Sequence, residues 1–137
     1  MKSREIDKII IHCSATREGQ DVKVATIDQW HRNRGFKKIG YHYVIYLDGS
    51  IHEGRKEYEV GAHCKGQNSF SIGVCYIGGL DKTGNPCDTR TKEQKESLIK
   101  LLKELKGRYP NATIHGHREY ANKACPCFDA KEEYRNL

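Results

Sequence analysis

A chain of 137 residues is long enough to bury one core of ordinary domain size. Hydrophobic residues make up 36% and charged residues 31%, which excludes a disordered chain, and no run approaches the ~18 apolar residues of a membrane helix. The formal charge of +6 suits an anionic polymer as partner, but Lys92, Lys95, Lys100, Lys103 and Lys106 fall together and read more simply as one solvated helix face.

The chain begins with the charged stretch Met-Lys-Ser-Arg-Glu-Ile-Asp and passes into Ile9-Ile10-Ile11. That run is too short for a signal-peptide core and lacks a small-residue cleavage site, so synthesis in the cytoplasm is expected. Lys8 to Cys13 reads as a buried strand that delivers His12 at its end. Thr26 and Gln29 have the spacing of a capping box, Trp30 follows and Gly35 closes, which predicts a helix over residues 26–34. Tyr41 to Leu47 alternates as a strand, Asp48-Gly49 reads as a two-residue hairpin turn, and Ser50 to Glu53 returns as the partner strand. Ser71 to Ile77 is a third apolar strand, ended by Gly78-Gly79.

A polar loop with Gly84, Asn85 and Pro86 leads to the clearest helix. Thr91 and Gln94 cap it, Leu98, Leu101, Leu102 and Leu105 fall at helical spacing, and Gly107 and Pro110 stop it. Ala112 to His115 follows as a strand, an irregular segment carries His117 to Phe128, and Lys131 to Asn136 forms a short terminal helix. No repeat or linker divides the chain. The expectation is therefore one α/β (α+β) domain over residues 1–137, with a central mixed β-sheet flanked by helices.

The six cysteines, at 13, 64, 75, 87, 125 and 127, include no C-x-x-C pair, which disfavours a zinc ribbon. Mostly reduced thiols are expected, with at least one serving a metal. Three segments are dense in ligand-type side chains: Ile11-His12-Cys13, His115-Gly116-His117-Arg118-Glu119 and Lys123-Ala124-Cys125-Pro126-Cys127. Imidazole and thiolate favour zinc, and a catalytic site needs three such ligands with one position open. Spacing alone chooses neither between His115 and His117 nor between Cys125 and Cys127.

The order of motifs is informative. Ile11-His12-Cys13-Ser14-Ala15-Thr16 is followed by Gly40-Tyr41-His42-Tyr43, Asp48-Gly49, Glu53-Gly54-Arg55 and Val60-Gly61-Ala62-His63. Then come Ser71-Ile72-Gly73-Val74-Cys75, Gly78-Gly79, Gly116-His117-Arg118-Glu119, and Lys123-Ala124-Cys125-Pro126 with Phe128-Asp129. Over residues 8–130 this resembles the type 2 N-acetylmuramoyl-L-alanine amidases, the family of T7 lysozyme and the peptidoglycan recognition proteins, most nearly the T7 lysozyme branch.

The resemblance implies zinc as cofactor, with His12, His117 and Cys125 as its ligands. It implies Lys123 as a catalytic cation that stabilises an oxyanion, and Tyr41 as a catalytic hydroxyl that orients or deprotonates water or holds the intermediate. His63 and Asn68 are implied as contacts in the substrate groove. Glu119 is a weaker candidate for a partner that fixes His117 or Lys123. Phe70 departs from the pattern, which often has Asn before Ser-Ile-Gly, and Cys64 and Cys127 stand where small residues without thiols are expected.

The partner implied is a peptidoglycan muropeptide. No nucleic acid is required, no membrane insertion is indicated, and a monomer is expected. T7 lysozyme also inhibits an RNA polymerase, an activity resting on a surface that this sequence does not mark. The alternative reading is a peptidoglycan-binding module without catalysis, against which Cys125 and Tyr41 together argue.

Overall fold

Ile9, Ile10 and Ile11 are all fully buried, as a strand requires when it has partners on both sides and is covered on both faces. The computed structural model describes residues 4–137; the first three residues of the charged start, and that part of the expected 1–137 domain, lie outside the described residues. The central strand β1 (Lys8–Cys13) pairs in parallel with β5 (Ser71–Tyr76) on one side and β7 (Thr113–Gly116) on the other. Beyond β5 lies β3 (Tyr43–Ile45), also parallel, and β4 (Ile51–Glu53) closes the edge antiparallel to β3. The result is a five-stranded mixed sheet, in the order β4-β3-β5-β1-β7.

Strand alternation then decides what each face carries. Ile9, Ile11 and Cys13 pack with Leu98, Leu101, Leu102 and Leu105 of the long helix α2 (Lys92–Arg108). The opposite face holds a smaller cluster of Val22, Ile39, Val44, Ile77 and Ile27, the last from α1 (Val24–Asn33). Register puts Val44 beside Cys75 and Cys75 beside His12 in one row on this second face. His12 therefore points away from the main core, towards the α1 side.

The capping box at Thr91 forms in full: Thr91 Oγ1 accepts from Gln94 N at 3.0 Å, and Gln94 Oε1 accepts from Thr91 N at 2.9 Å. The helix runs through Gly107 to Arg108 before Pro110. The box expected at Thr26 does not form. Helix α1 starts at Val24, whose N–H donates to Tyr46 Oη at 2.8 Å, so a tyrosine from the neighbouring strand end satisfies the helix terminus. Gln29 donates instead to Asn33 Oδ1.

Strand β3 is also shorter than the alternation from Tyr41 to Leu47 predicts. Arg55, buried beneath this segment, donates to Ile39 O at 2.8 Å and Val60 O at 2.6 Å, and Ala62 N donates to Gly40 O at 3.1 Å. These loop contacts end at Gly40; from Tyr41 the backbone is bonded to its sheet neighbours outside the regular ladder, His42 N donating to Gly73 O, and Gly54 N and Arg55 N donating to His42 O and Tyr41 O, at 2.9 Å each. The hairpin turn is one residue longer than expected. Gly49 N bonds Tyr46 O and Tyr46 N bonds Ser50 O, with Gly49 in the left-handed region at φ 86°. A further two-stranded parallel sheet, β2 (Thr16–Arg17) with β6 (Gly79–Leu80), was not expected from the sequence. The terminal helix, expected over Lys131 to Asn136, is the shorter α3, Ala130–Glu133. Among the described residues no helix is long and apolar enough to cross a membrane.

Candidate active site

His12 sits near the C-terminal end of β1, where parallel strands commonly present functional groups to a crevice. His117 opens a single 3₁₀ turn, His117–Glu119, directly after β7, the strand beside β1. Cys125 lies on the irregular segment beyond it. Arg118 N donates to Cys125 O at 2.7 Å, and the buried Tyr76 hydroxyl donates to Pro126 O at 2.6 Å, so the core itself holds this segment. One ligand atom each of His12, His117 and Cys125 lies within 4.8 Å of the others. Of the residues that spacing left open, His117 and Cys125 belong to this group, and His115 and Cys127 do not.

His115 bonds Glu119 Oε1 at 2.9 Å through Nδ1 and Thr113 Oγ1 at 2.6 Å through Nε2. Glu119 also accepts from Gly116 N at 2.8 Å, so it braces His115 and the turn before His117, not the His117 ring or Lys123. Cys127 Sγ lies 3.9 Å from Cys13 Sγ and 3.2 Å from Gly79 O. All six cysteines are free.

The donor set fits a soft to borderline divalent cation. Burial, then the neighbouring His63, His117 and Lys123, push His12 well below the ordinary histidine range, and burial followed by Lys123 lowers His117. Both imidazoles are thus neutral, as metal ligation requires. Cys13 N donates to Cys125 Sγ at 3.2 Å. Two imidazoles and one cysteine sulfur form a three-ligand set that leaves a position open, the pattern of catalytic zinc sites.

Above these residues lies a groove in two lobes. The larger, of about 500 Å³, is lined by Tyr41, His63, Asn68, His117 and Lys123 among others. The smaller, of about 210 Å³, is lined by Trp30, Tyr41, His117, Lys123 and Cys125 with Ser14 and Ala15. Tyr41, His117 and Lys123 border both lobes. The Tyr41 ring packs 5.0 Å from the His12 ring, and burial, followed by the Cys75, Cys125 and Cys13 thiols, pushes its phenol well above the ordinary tyrosine range.

The structure thus brings together all seven residues singled out in the sequence. His63 and Asn68 were expected in the groove, and their polar atoms are largely engaged within the protein. Both border the larger lobe, but His63 is only 8% exposed with its ring nitrogens bonded inside the protein, and Asn68 Oδ1 is taken up by the N–H groups of His63 and Cys64 at 2.9 Å each. Sequence reasoning passed over His31. It is buried, accepts from Gly40 N at 2.8 Å through Nδ1 and packs 5.3 Å from Tyr41. Its position four residues after Ile27, on the inner face of α1, was the available signal. Arg34, Phe36 and Lys65, which also border the larger lobe, carried no such signal.

A family model described as N-acetylmuramoyl-L-alanine amidase matches residues 2–128. The chain is 47% identical over 131 residues to the endolysin of Escherichia phage T7, covering 95% of this chain and 87% of that protein. It is 46% identical over 128 residues to the endolysin of Enterobacteria phage K11, covering 93% and 85% respectively. Among solved structures, the N-acetylmuramoyl-L-alanine amidase LysC from Clostridium intestinale URNW superposes with a TM-score of 0.81 at 30% identity, over 95% of this chain and 82% of that one.

Proposed function

The chain belongs to the N-acetylmuramoyl-L-alanine amidase family, and we propose that it uses zinc, held by His12, His117 and Cys125, to hydrolyse the amide joining N-acetylmuramic acid to L-alanine in peptidoglycan. The observation that carries the metal assignment is the convergence of two neutral imidazoles and a thiol beneath an open groove. Its place of action is the bacterial cell wall, where that substrate lies, and the whole chain is read as a single catalytic domain.

Bound there, zinc would supply Lewis-acid chemistry, lowering the pKa of water and polarising a carbonyl oxygen. The chain's own residues do the rest. Lys123 borders both lobes, and its cation stabilises the negative charge that develops on the carbonyl oxygen as the amide is attacked. Tyr41 presents its hydroxyl at the same junction, where it orients the attacking water or holds the intermediate. The two lobes meet at Tyr41, His117 and Lys123, so the scissile amide is expected at their junction, with glycan and peptide stem on opposite sides.

The test is metal content together with digestion of purified peptidoglycan. About one zinc per chain is expected, with new L-alanine amino groups and no new reducing sugar ends. Chelation should abolish activity and added zinc restore it. New reducing ends without amines would overturn the reaction assigned, and full zinc content in His12→Ala and Cys125→Ala variants would overturn the ligands.

A further inference from the structure

Each nitrogen of the His12 ring has its own surroundings. Nδ1 faces Cys125 Sγ at 4.0 Å, on the side where the ligand atoms gather. Nε2 faces away and lies 2.8 Å from His63 Nδ1, with the two rings edge to face at 88°. The far nitrogen of His63, Nε2, lies 3.1 Å from the hydroxyl of the fully buried Ser71. If His12 Nδ1 is to be a bare ligand, its proton sits on Nε2 and is donated to His63 Nδ1. His63 must then carry its own proton on Nε2 and donate it to Ser71 Oγ. One assignment of protons satisfies the whole chain.

The fold makes room for this ring. A Cβ at Gly73 would come within 2.6 Å of His63 Cγ, and a Cβ at Gly61 within 2.6 Å of His63 Cδ2. Gly73 is the register partner of Ile10, two residues before His12 on the same face of β1. Asn68 Oδ1 accepts from the backbone of both His63 and Cys64, fixing the loop that brings the ring in. Among the described residues the His63 ring has two polar contacts, His12 and Ser71.

We propose that His63 is a positioning residue for the metal centre, accepting from His12 Nε2–H so that Nδ1 is presented towards His117 and Cys125. This rests on the zinc site proposed above. A carboxylate or a backbone carbonyl is the usual partner for a ligating histidine; a second, neutral histidine orients the ring without adding charge. Loss of such a partner typically costs ~10–100-fold in metal affinity.

Zinc affinity, measured by chelator competition, should fall by about that factor in His63→Leu. His63→Asn, whose Oδ1 falls near the position of Nδ1, should recover most of it. In zinc-loaded parent protein, nuclear magnetic resonance should find a slowly exchanging His12 Nε2–H proton that is hydrogen-bonded to His63. A merely structural role for His63 would lower the melting temperature of both variants without separating their zinc affinities. Equal affinity in all three proteins, or a proton on His63 Nδ1 with His12 Nε2 bare, would overturn the proposal. Should a variant not fold, the resonance experiment on the parent decides. A parent that takes up no zinc overturns the metal assignment and this inference together. A parent that binds zinc with the expected signature but exposes no L-alanine amino groups overturns only the reaction.

Discussion

Lys123 and Tyr41 border both lobes of the groove, and neither belongs to the ligand group, so their roles separate from metal binding. Lys123→Ala should lower turnover by about 10²-fold, as loss of an oxyanion donor does, with zinc content and KM changed little. Tyr41→Phe keeps the ring packed against His12 and removes only the hydroxyl, so a fall in kcat there reports the oxygen itself. Steady-state release of amino groups beside a zinc assay checks both; full zinc with parental kcat in both variants would refute the division of labour. At this scale the motif order made the segments legible, but the choice of His117 over His115 and of Cys125 over Cys127 came only from the family resemblance. His63 was legible as a site residue but not in its role. Its surroundings, Gly73 and Ser71 of β5 and His12 of β1, come together only once those two strands are paired.

Among the elements, the difference between α2 and α1 shows what local sequence can specify. The α2 cap is built entirely within Thr91 to Gln94, four consecutive residues, and forms as read. The α1 cap comes from Tyr46, on a strand end outside the helix, and no local pattern could signal it. Likewise the loop before β3 is held by Arg55, which reaches Ile39 O and Val60 O from a later segment. The Thr91 cap also ties the helix to the sheet: Thr91 Oγ1 donates to Leu47 O at 2.8 Å, and the buried Gln94 amide donates to Ile77 O at 2.9 Å. Thr91→Ala should therefore cost about 1–2 kcal/mol, at the upper end for a cap, and Gln94→Leu about 1–3 kcal/mol through the unpaired carbonyl. Urea unfolding measures both, with Thr91→Ser expected to lie near the parent. Parental stability in Thr91→Ala and Gln94→Leu would mean that the helix is held by its leucine face alone.

Across the whole molecule, a single buried guanidinium joins the loop before α2, the Cys125 segment and the C-terminal helix. Arg90, 8% exposed, bonds Asp88 at 2.8 Å and Glu133 of α3 at 2.7 Å, meets Tyr134 Oη at 2.9 Å and lies 3.4 Å over the Phe128 ring. Phe128 follows Cys125 by three residues and packs on Tyr76, which holds Pro126, so this cluster braces the ligand segment from behind. Burial alone would raise Asp88, but Arg90 outweighs it and holds the carboxyl below its ordinary range; Glu133 is lowered chiefly by its bond to Arg90. A carboxylate whose folded pKa lies below its unfolded value adds stability that is complete above the ordinary range of about 4–4.5 and is lost as pH falls through the depressed folded value. Stability should thus be flat in these groups above about pH 5 and decline steadily below pH 4. Glu57 adds to that decline, since its bonds to Arg108, Tyr109 and Tyr43 outweigh its burial and lower it as well. Arg90→Met should lower stability at pH 7 by about 2–3 kcal/mol, leaving the two partly exposed carboxylates to water. It should also make the acid slope shallower without abolishing it, because Glu57 keeps its partners. Thermal melts from pH 7 to pH 3 on parent and variant test this, and a variant slope equal to the parent's would show that Asp88 and Glu133 do not carry the acid sensitivity.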